Sequence, residues 1–361
     1  MFSKPATHDE FERPRKLITW LTLCIAMLFI TGLQGTALAA EIVTTDTHKF
    51  TELRNNIWLA QSTAPVFNSN ALVIVNEDDV VLVDSHVTPA KARDLIRAIQ
   101  AISDNPITAL INSHHHWDHA HGNQEFTGIP IIGHEYAYDK LANAPLADPT
   151  YQNGLAGNEA MLKRLRETIA RETDPDKRAE VTEYLALFTA HTRDFDEIAP
   201  LPPNITLNER MTLYRGERVI QILFLGRAHT GGDLMVYFPQ DKLVFTGDVA
   251  FSGPSFLGDG YVDEWPQTLE NLKALDFDVF VPGHGGPITD LTRLDIVQTF
   301  YRDLWAKAVG LHAKGKDAAT AAAEIDLTNH TAIPIKEPGI SLGTMQRIYH
   351  RLQHQPVRGA P

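Results

Sequence analysis

The sequence predicts an α/β fold in which sheets are sandwiched between helical layers. Three observations carry that prediction. Short β-branched runs recur in both halves of the chain, helix-patterned segments separate them, and 43% of the 361 residues are hydrophobic, enough for one large core or two modest ones. With 21% charged residues and no low-complexity tract, the composition is that of a globular protein. A formal net charge of −13 and the lack of a long Lys/Arg run argue against a surface that tracks phosphates. A small-molecule substrate is expected, nucleic acid is not, and no residue pattern specifies an oligomeric state.

The elements follow in order. Ile57-Trp58-Leu59 opens the strand pattern, and Ala71–Val75 and Val80–Val83, joined by the polar residues 76–79, read as a hairpin. Thr88 and Pro89 supply an N-cap and first-turn proline for a helix to about Gln100, with Leu95, Ile96, Ile99 and Ile102 at helical spacing. Ile107–Ile111 is the next strand. In the second half, residues 219–224, 234–238, 242–245 and 279–281 are short strands, with a helix over 265–274. Between about 144 and 203 the pattern turns helical: 161–171 and 180–189 read as two helices joined by Asp174-Pro175-Asp176, an insertion over or beside the site. A helical C-terminal extension covers about 290–361, interrupted near Ile333-Pro334.

Residues 1–39 read as a signal peptide preceding a domain over 40–361. Arg13, Arg15 and Lys16 precede an uncharged stretch over 17–33, and Ala37 and Ala39 offer small residues for cleavage after Ala39 or Ala40. The expected location is periplasmic or secreted, with no stable membrane partner after cleavage; an uncleaved anchor is the competing reading. The single cysteine, Cys24, lies in this segment. The mature chain then has no thiol, so any metal must be held by nitrogen and oxygen.

Such a ligand set is present. Directly after the 107–111 strand comes His114-His115-His116-Trp117-Asp118-His119, an H-x-H-x-D-H run. His229, Asp248 and His284 then each sit among glycines, which permit tight turns and close backbone approach. Were the run extended, His114, His116 and Asp118 would share a side, with His119 turned toward a neighbouring position and His115 pointing away. Asp118 carries a second expectation: a free carboxylate oxygen there could orient an attacking hydroxide and shuttle its proton. His86, His121 and His134 read as polar loop residues, and Trp117, Phe251 and Phe256, close to ligands in sequence, read more readily as core packing than as pocket walls.

From roughly residue 50 to 290 these motifs resemble the metallo-β-lactamase superfamily: Asp84 at a strand end, the H-x-H-x-D-H run, His229 in an H-T-x-G context, Asp248 of T-G-D and His284 of G-H. The resemblance implies a four-layer αβ/βα sandwich with the site at one edge of the two sheets, here carrying the helical insertion and C-terminal helices. It implies two zinc ions per chain, one held by His114, His116 and His229, the other by Asp118, His119 and His284, with Asp248 bridging and Asp84 behind the ligands. The activity implied is hydrolysis of a small carbonyl substrate (lactam, ester, lactone or thioester) by dizinc-activated hydroxide, with β-lactamase-like turnover included. Lactamases of the cysteine-containing subclass differ in carrying Cys where this chain has Asp248 and a substrate-binding Lys where it has Phe251. Hydroxyacylglutathione hydrolases share the full ligand set, but no basic cluster for a glutathione carboxylate follows Asp248 here. The alternatives are a mononuclear iron site of the sulfur dioxygenase kind on His114, His116 and His229, and a non-catalytic metal-binding module.

Overall fold

The computed structural model describes residues 40–354. The signal-peptide reading of 1–39 and the last residues of the C-terminal extension lie outside the described residues. Among the described residues no helix is long and apolar enough to cross a membrane.

Two sheets face each other. The first runs β1 (Ile42–Thr44), β2 (His48–Arg54), β3 (Ile57–Ser62), β4 (Ala71–Val75), β5 (Val80–Val83), β6 (Ile107–Ile111), β7 (Ile131–His134) and β8 (Ile205–Leu207), with neighbours in space following neighbours in sequence. It is antiparallel from β1 to β5 and parallel from β5 to β8. The second comprises β9 (Arg210–Arg215), β10 (Arg218–Phe224), β11 (Leu234–Phe238), β12 (Leu243–Gly247) and β13 (Val279–Pro282), antiparallel except for the β12–β13 pair.

The central strands are apolar at every position because both faces are buried. Leu72, Ile74, Val81 and Val83 meet Val236, Phe238, Leu243 and Phe245 between the sheets. Their alternate neighbours Ala71, Val73, Val80 and Leu82 turn outward, onto Ala92, Leu95 and Ile99 of α1 (Pro89–Ile99). On the far side Met235, Val244 and Phe280 pack on Trp265, Leu269 and Leu272 of α6 (Trp265–Lys273) and on the C-terminal helices α7 (Thr292–Ala313), α8 (Ala318–Glu324) and α9 (Leu342–His354). The layers are thus αβ/βα, and the C-terminal helices are part of the fourth layer. Truncating a buried Leu or Phe in such a core costs about 2–5 kcal/mol.

Several expectations need adjustment. β1, β2 and β7 to β9 did not stand out in the sequence, since β1, β8 and β9 are edge strands of mixed polarity, β2 mixes charged with apolar residues and β7 is only four residues long. Between β6 and β7 lie one α-helical turn, α2 (Trp117–Ala120), and a 3-10 turn over Asn123–Phe126, and α3 (Glu135–Ala142) follows β7. The first insertion helix, α4 (Pro149–Arg171), starts well before residue 161, capped by Asp148 and running through Gly154 and Gly157; the second is α5 (Pro175–Arg193), capped by Asp174. Tertiary contact at Gly154 outweighs the weak helix propensity of glycine.

Candidate metal centre

All the ligand candidates leave the same edge of the two sheets. Asp84 follows β5, the histidine run follows β6, His229 lies on the loop after β10, Asp248 directly follows β12, and His284 follows β13. The β5–β6 and β12–β13 pairs are parallel, so their carboxyl ends open on one rim, where α/β sheets carry ligands.

The run is not extended throughout, which corrects the alternation expected of it. His116 is the N-cap of the α2 turn, and Asp118 and His119 project from that turn. Seven side chains nevertheless converge. Ligand atoms of His114, His116 and His229 lie within 4.8 Å of one another, as do those of Asp118, His119 and His284, and those of His114, His119 and Asp248. His284 Nε2 is 2.9 Å from Asp118 Oδ2, and His119 Nε2 is 3.3 Å from both Asp118 Oδ2 and Asp248 Oδ1. Asp248 faces both groups: its Oδ2 is 3.5 Å from His229 Nε2 and 3.8 Å from His284 Nε2.

Each imidazole is oriented from behind. His119 Nδ1 donates to Asp84 Oδ2 at 2.7 Å, His229 Nδ1 to the Phe256 carbonyl at 3.0 Å, and His284 Nδ1 to the Asn68 carbonyl at 3.1 Å. His114 Nδ1 contacts Ser113 Oγ at 3.0 Å. These four aim Nε2 at the cluster, whereas His116 presents Nδ1, its Nε2 bonding Asp259 Oδ2 at 3.0 Å. A partner on the far nitrogen fixes ring orientation and tautomer, as metal-ligating histidines need. Asp84 has φ 64°, left-handed backbone for a non-glycine residue. In that conformation its carboxylate takes bonds from Ser113 N, Ser113 Oγ and His119 Nδ1 together.

Three observations fit this donor set to a metal. His114 Nε2, His119 Nε2 and Asp248 Oδ1 are buried without a hydrogen-bond partner, which is costly unless a cation satisfies them. Gly283 lines the cradle: a Cβ there would stand 2.2 Å from Asp248 Oδ1 and 2.6 Å from His119 Cε1. The charges also suit a cation. Burial holds His114 well below the usual histidine range and brings His229 down to about 4, leaving neutral imidazoles. Burial works against the charge on Asp118, yet His119 and His284 keep it well below the ordinary carboxylate range. His119 is raised well above its usual value against its own burial, by Asp118, Asp248 and Asp84. These carboxylates thus favour positive charge at His119, and a divalent ion there would supply it.

The other histidines are more buried than loop residues would be. His86 and His48 are fully buried, their Nε2 atoms 3.0 Å apart. His121 packs on Tyr151 at a ring distance of 5.0 Å, and His134 caps α3. His115 lies outside the seven-ligand cluster, its Nε2 3.8 Å from Asp259 Oδ2. Asp259 escaped the sequence reading; its Gly258-Asp259-Gly260 turn was the signal that could have found it. Phe256, read as core, is 52% exposed.

The fold and this constellation define a metal-binding αβ/βα sandwich. Residues 64–284 match the family model of the metallo-beta-lactamase superfamily, and the chain belongs to that superfamily. It is similar to the 2,4-dinitroanisole O-demethylase subunit alpha of Nocardioides sp. (strain JS1661), 24% identical over 278 residues that cover 76% of this chain and 66% of that one. It is also similar to a metallo-beta-lactamase type 2 of Bacillus cereus, 22% identical over 285 residues, 73% of this chain and 91% of that one. Among solved structures, the stereoselective inverting sec-alkylsulfatase Pisa1 from Pseudomonas sp. superposes with a TM-score of 0.57 at 18% identity, over 84% of this chain and 50% of that one. The chain thus spans just under two-thirds of the demethylase subunit and half of the alkylsulfatase.

Proposed function

We propose that the mature chain is an exported dizinc hydrolase of a small carbonyl substrate: a lactam, ester, lactone or thioester. The observation that carries this reading is the convergence of two complete ligand groups on one rim, with buried ligand atoms of His114, His119 and Asp248 that make no hydrogen bond. His114, His116 and His229 would hold one zinc, Asp118, His119 and His284 the other, and Asp248 would touch both. Two such ions, when bound, bring a water toward neutrality in pKa and polarise a carbonyl.

The protein's own groups do the remaining work. Asp118 turns Oδ2 toward His284 and His119, which leaves its other carboxylate oxygen to orient the attacking nucleophile and take its proton. Asp84 and Asp259 hold the imidazoles in register, and the buried surroundings exclude bulk water. The basic 13–16 segment and the uncharged 17–33 stretch support export, which would place the reaction in the periplasm or outside the cell. The mononuclear iron reading is weaker because the second ligand group is as complete as the first.

Metal analysis and a substrate panel on the purified mature chain test this. Two zinc ions per wild-type chain are expected, and a kcat/KM at least about 100-fold lower in His116→Ala, beyond the roughly 10–100-fold that loss of a ligand's supporting partner costs. The named relatives add a sulfate ester and a methyl aryl ether to the lactams, lactones, esters and thioesters of the panel. Fewer than one metal per chain, or oxygen consumption with persulfides by an iron-loaded form, would defeat the proposal.

A further inference from the structure

The insertion helices reach the metal site through aromatic side chains. Phe67, on the loop between β3 and β4, is 52% exposed, yet its ring lies 5.1 Å from that of His284 and 5.4 Å from that of Trp117. Tyr184 of α5 donates its hydroxyl to the Pro65 carbonyl at 3.1 Å, tying this loop to the insertion. Trp117 in turn rests on α4. A Cβ on Gly154 would stand 2.7 Å from Trp117 Cζ2, and Tyr151 and Phe195 flank the indole at 6.3 and 5.8 Å. Across the site Phe251 stacks on His284 at 6.3 Å, and Phe256, also 52% exposed, lies 6.3 Å from His116 and 6.4 Å from His229.

Charge is distributed the opposite way. No Lys or Arg forms an ion pair with Asp118 or Asp248 among the described residues, and Lys140 and Arg227 are paired to Asp148 and Glu264. The cation felt beside His115 and Asp259 is Lys140, already tied to Asp148, so an anionic substrate group would compete with a carboxylate for it, whereas an apolar one would find exposed rings over both ligand groups. Building on the dizinc hydrolase reading, we propose that α4 and α5 seat an aromatic wall, Phe67 and Trp117 facing Phe251 and Phe256, that selects substrates with an uncharged apolar group beside the reacting carbonyl.

Thiols report on the wall without turnover, because sulfur binds zinc and the tail lies beside it. Calorimetry on the zinc-loaded chain would compare 2-mercaptoethanol, mercaptoacetate and phenylmethanethiol. The aromatic thiol is expected to bind at least about tenfold tighter than 2-mercaptoethanol, as burial of a ring predicts, and mercaptoacetate no tighter than 2-mercaptoethanol. Phe67→Ala should cut that preference to less than about threefold with metal content unchanged. Tyr184→Phe, which removes the hydrogen bond to the Pro65 carbonyl and keeps the ring, should lower it by roughly two- to threefold. Thiols that bind without tail preference, an advantage for the carboxylate thiol, or a preference that survives Phe67→Ala would each overturn the wall alone. If the chain takes up no zinc, the metal reading fails and takes the wall with it; if zinc is held and no thiol binds, the wall fails while the metal reading stands.

Discussion

The floor of the site and its wall are built by different forces. The floor is the set of ligand loops at the strand ends, where Asp84, His114, His119 and His229 are all buried and each ring is held by a hydrogen bond behind it. The insertion that backs the wall is two helices of 23 and 19 residues in which only Tyr151, Leu165, Phe188 and His191 are buried. Polar groups in a dry setting tolerate little displacement, since an unmet partner costs about 1–3 kcal/mol. Packing on an exposed hairpin is softer. The difference teaches that metal affinity and substrate preference should be separable by mutation.

The largest expected effect lies in the floor. Asp118→Asn should lower kcat by about 10²–10⁴-fold with the fold intact by circular dichroism; a fall below tenfold would assign proton transfer elsewhere. Next is the hairpin: Leu165→Ala should cost roughly 2–4 kcal/mol of local stability, seen as faster amide exchange in α4 and α5 with zinc content unchanged. Loss of zinc in that variant would break the separation of floor from wall.

Smaller effects sharpen it. Asp259→Asn leaves His116 in place and weakens what orients it, so zinc affinity should fall about 10–100-fold in a chelator competition, with the thiol preference unaltered. The last concerns a histidine outside the ligand set, and its effect is small at any one pH. Burial holds His48 down at about 4, so the unfolded chain takes up its proton first as acid is added. The stability it confers is present above about 6.5 and is lost as pH falls from there toward 4, at about 1.4 kcal/mol per pH unit. Urea midpoints measured across that window should fall less steeply in His48→Gln; an unchanged slope would show that other buried histidines dominate acid unfolding.

Legibility varied with how locally each feature is encoded. The hairpin of β4 and β5, α1 with its Thr88 cap, and the seven ligand candidates could be read from residue types and spacing, because glycine-bounded turns and β-branched runs are local signals. Asp259 could not be read, being one acidic residue in a turn far from His116 in sequence and bonded to it only through the fold. The exposure of Phe256, the burial of His86 and His121, and the continuation of α4 through Gly154 were hidden for the same reason.

By itself the sequence determined the chemistry on offer: a thiol-free set of imidazoles and carboxylates in the order of one superfamily, with enough apolar residues to bury two sheets. The tertiary structure decided the rest. Which nitrogen of each ring faces inward, which carboxylate supports rather than binds, and that the insertion meets Trp117 and Pro65 all depend on contacts between residues far apart in the chain. Linear pattern encodes such contacts poorly, because orientation is set by whichever partner the packed layers bring behind each side chain.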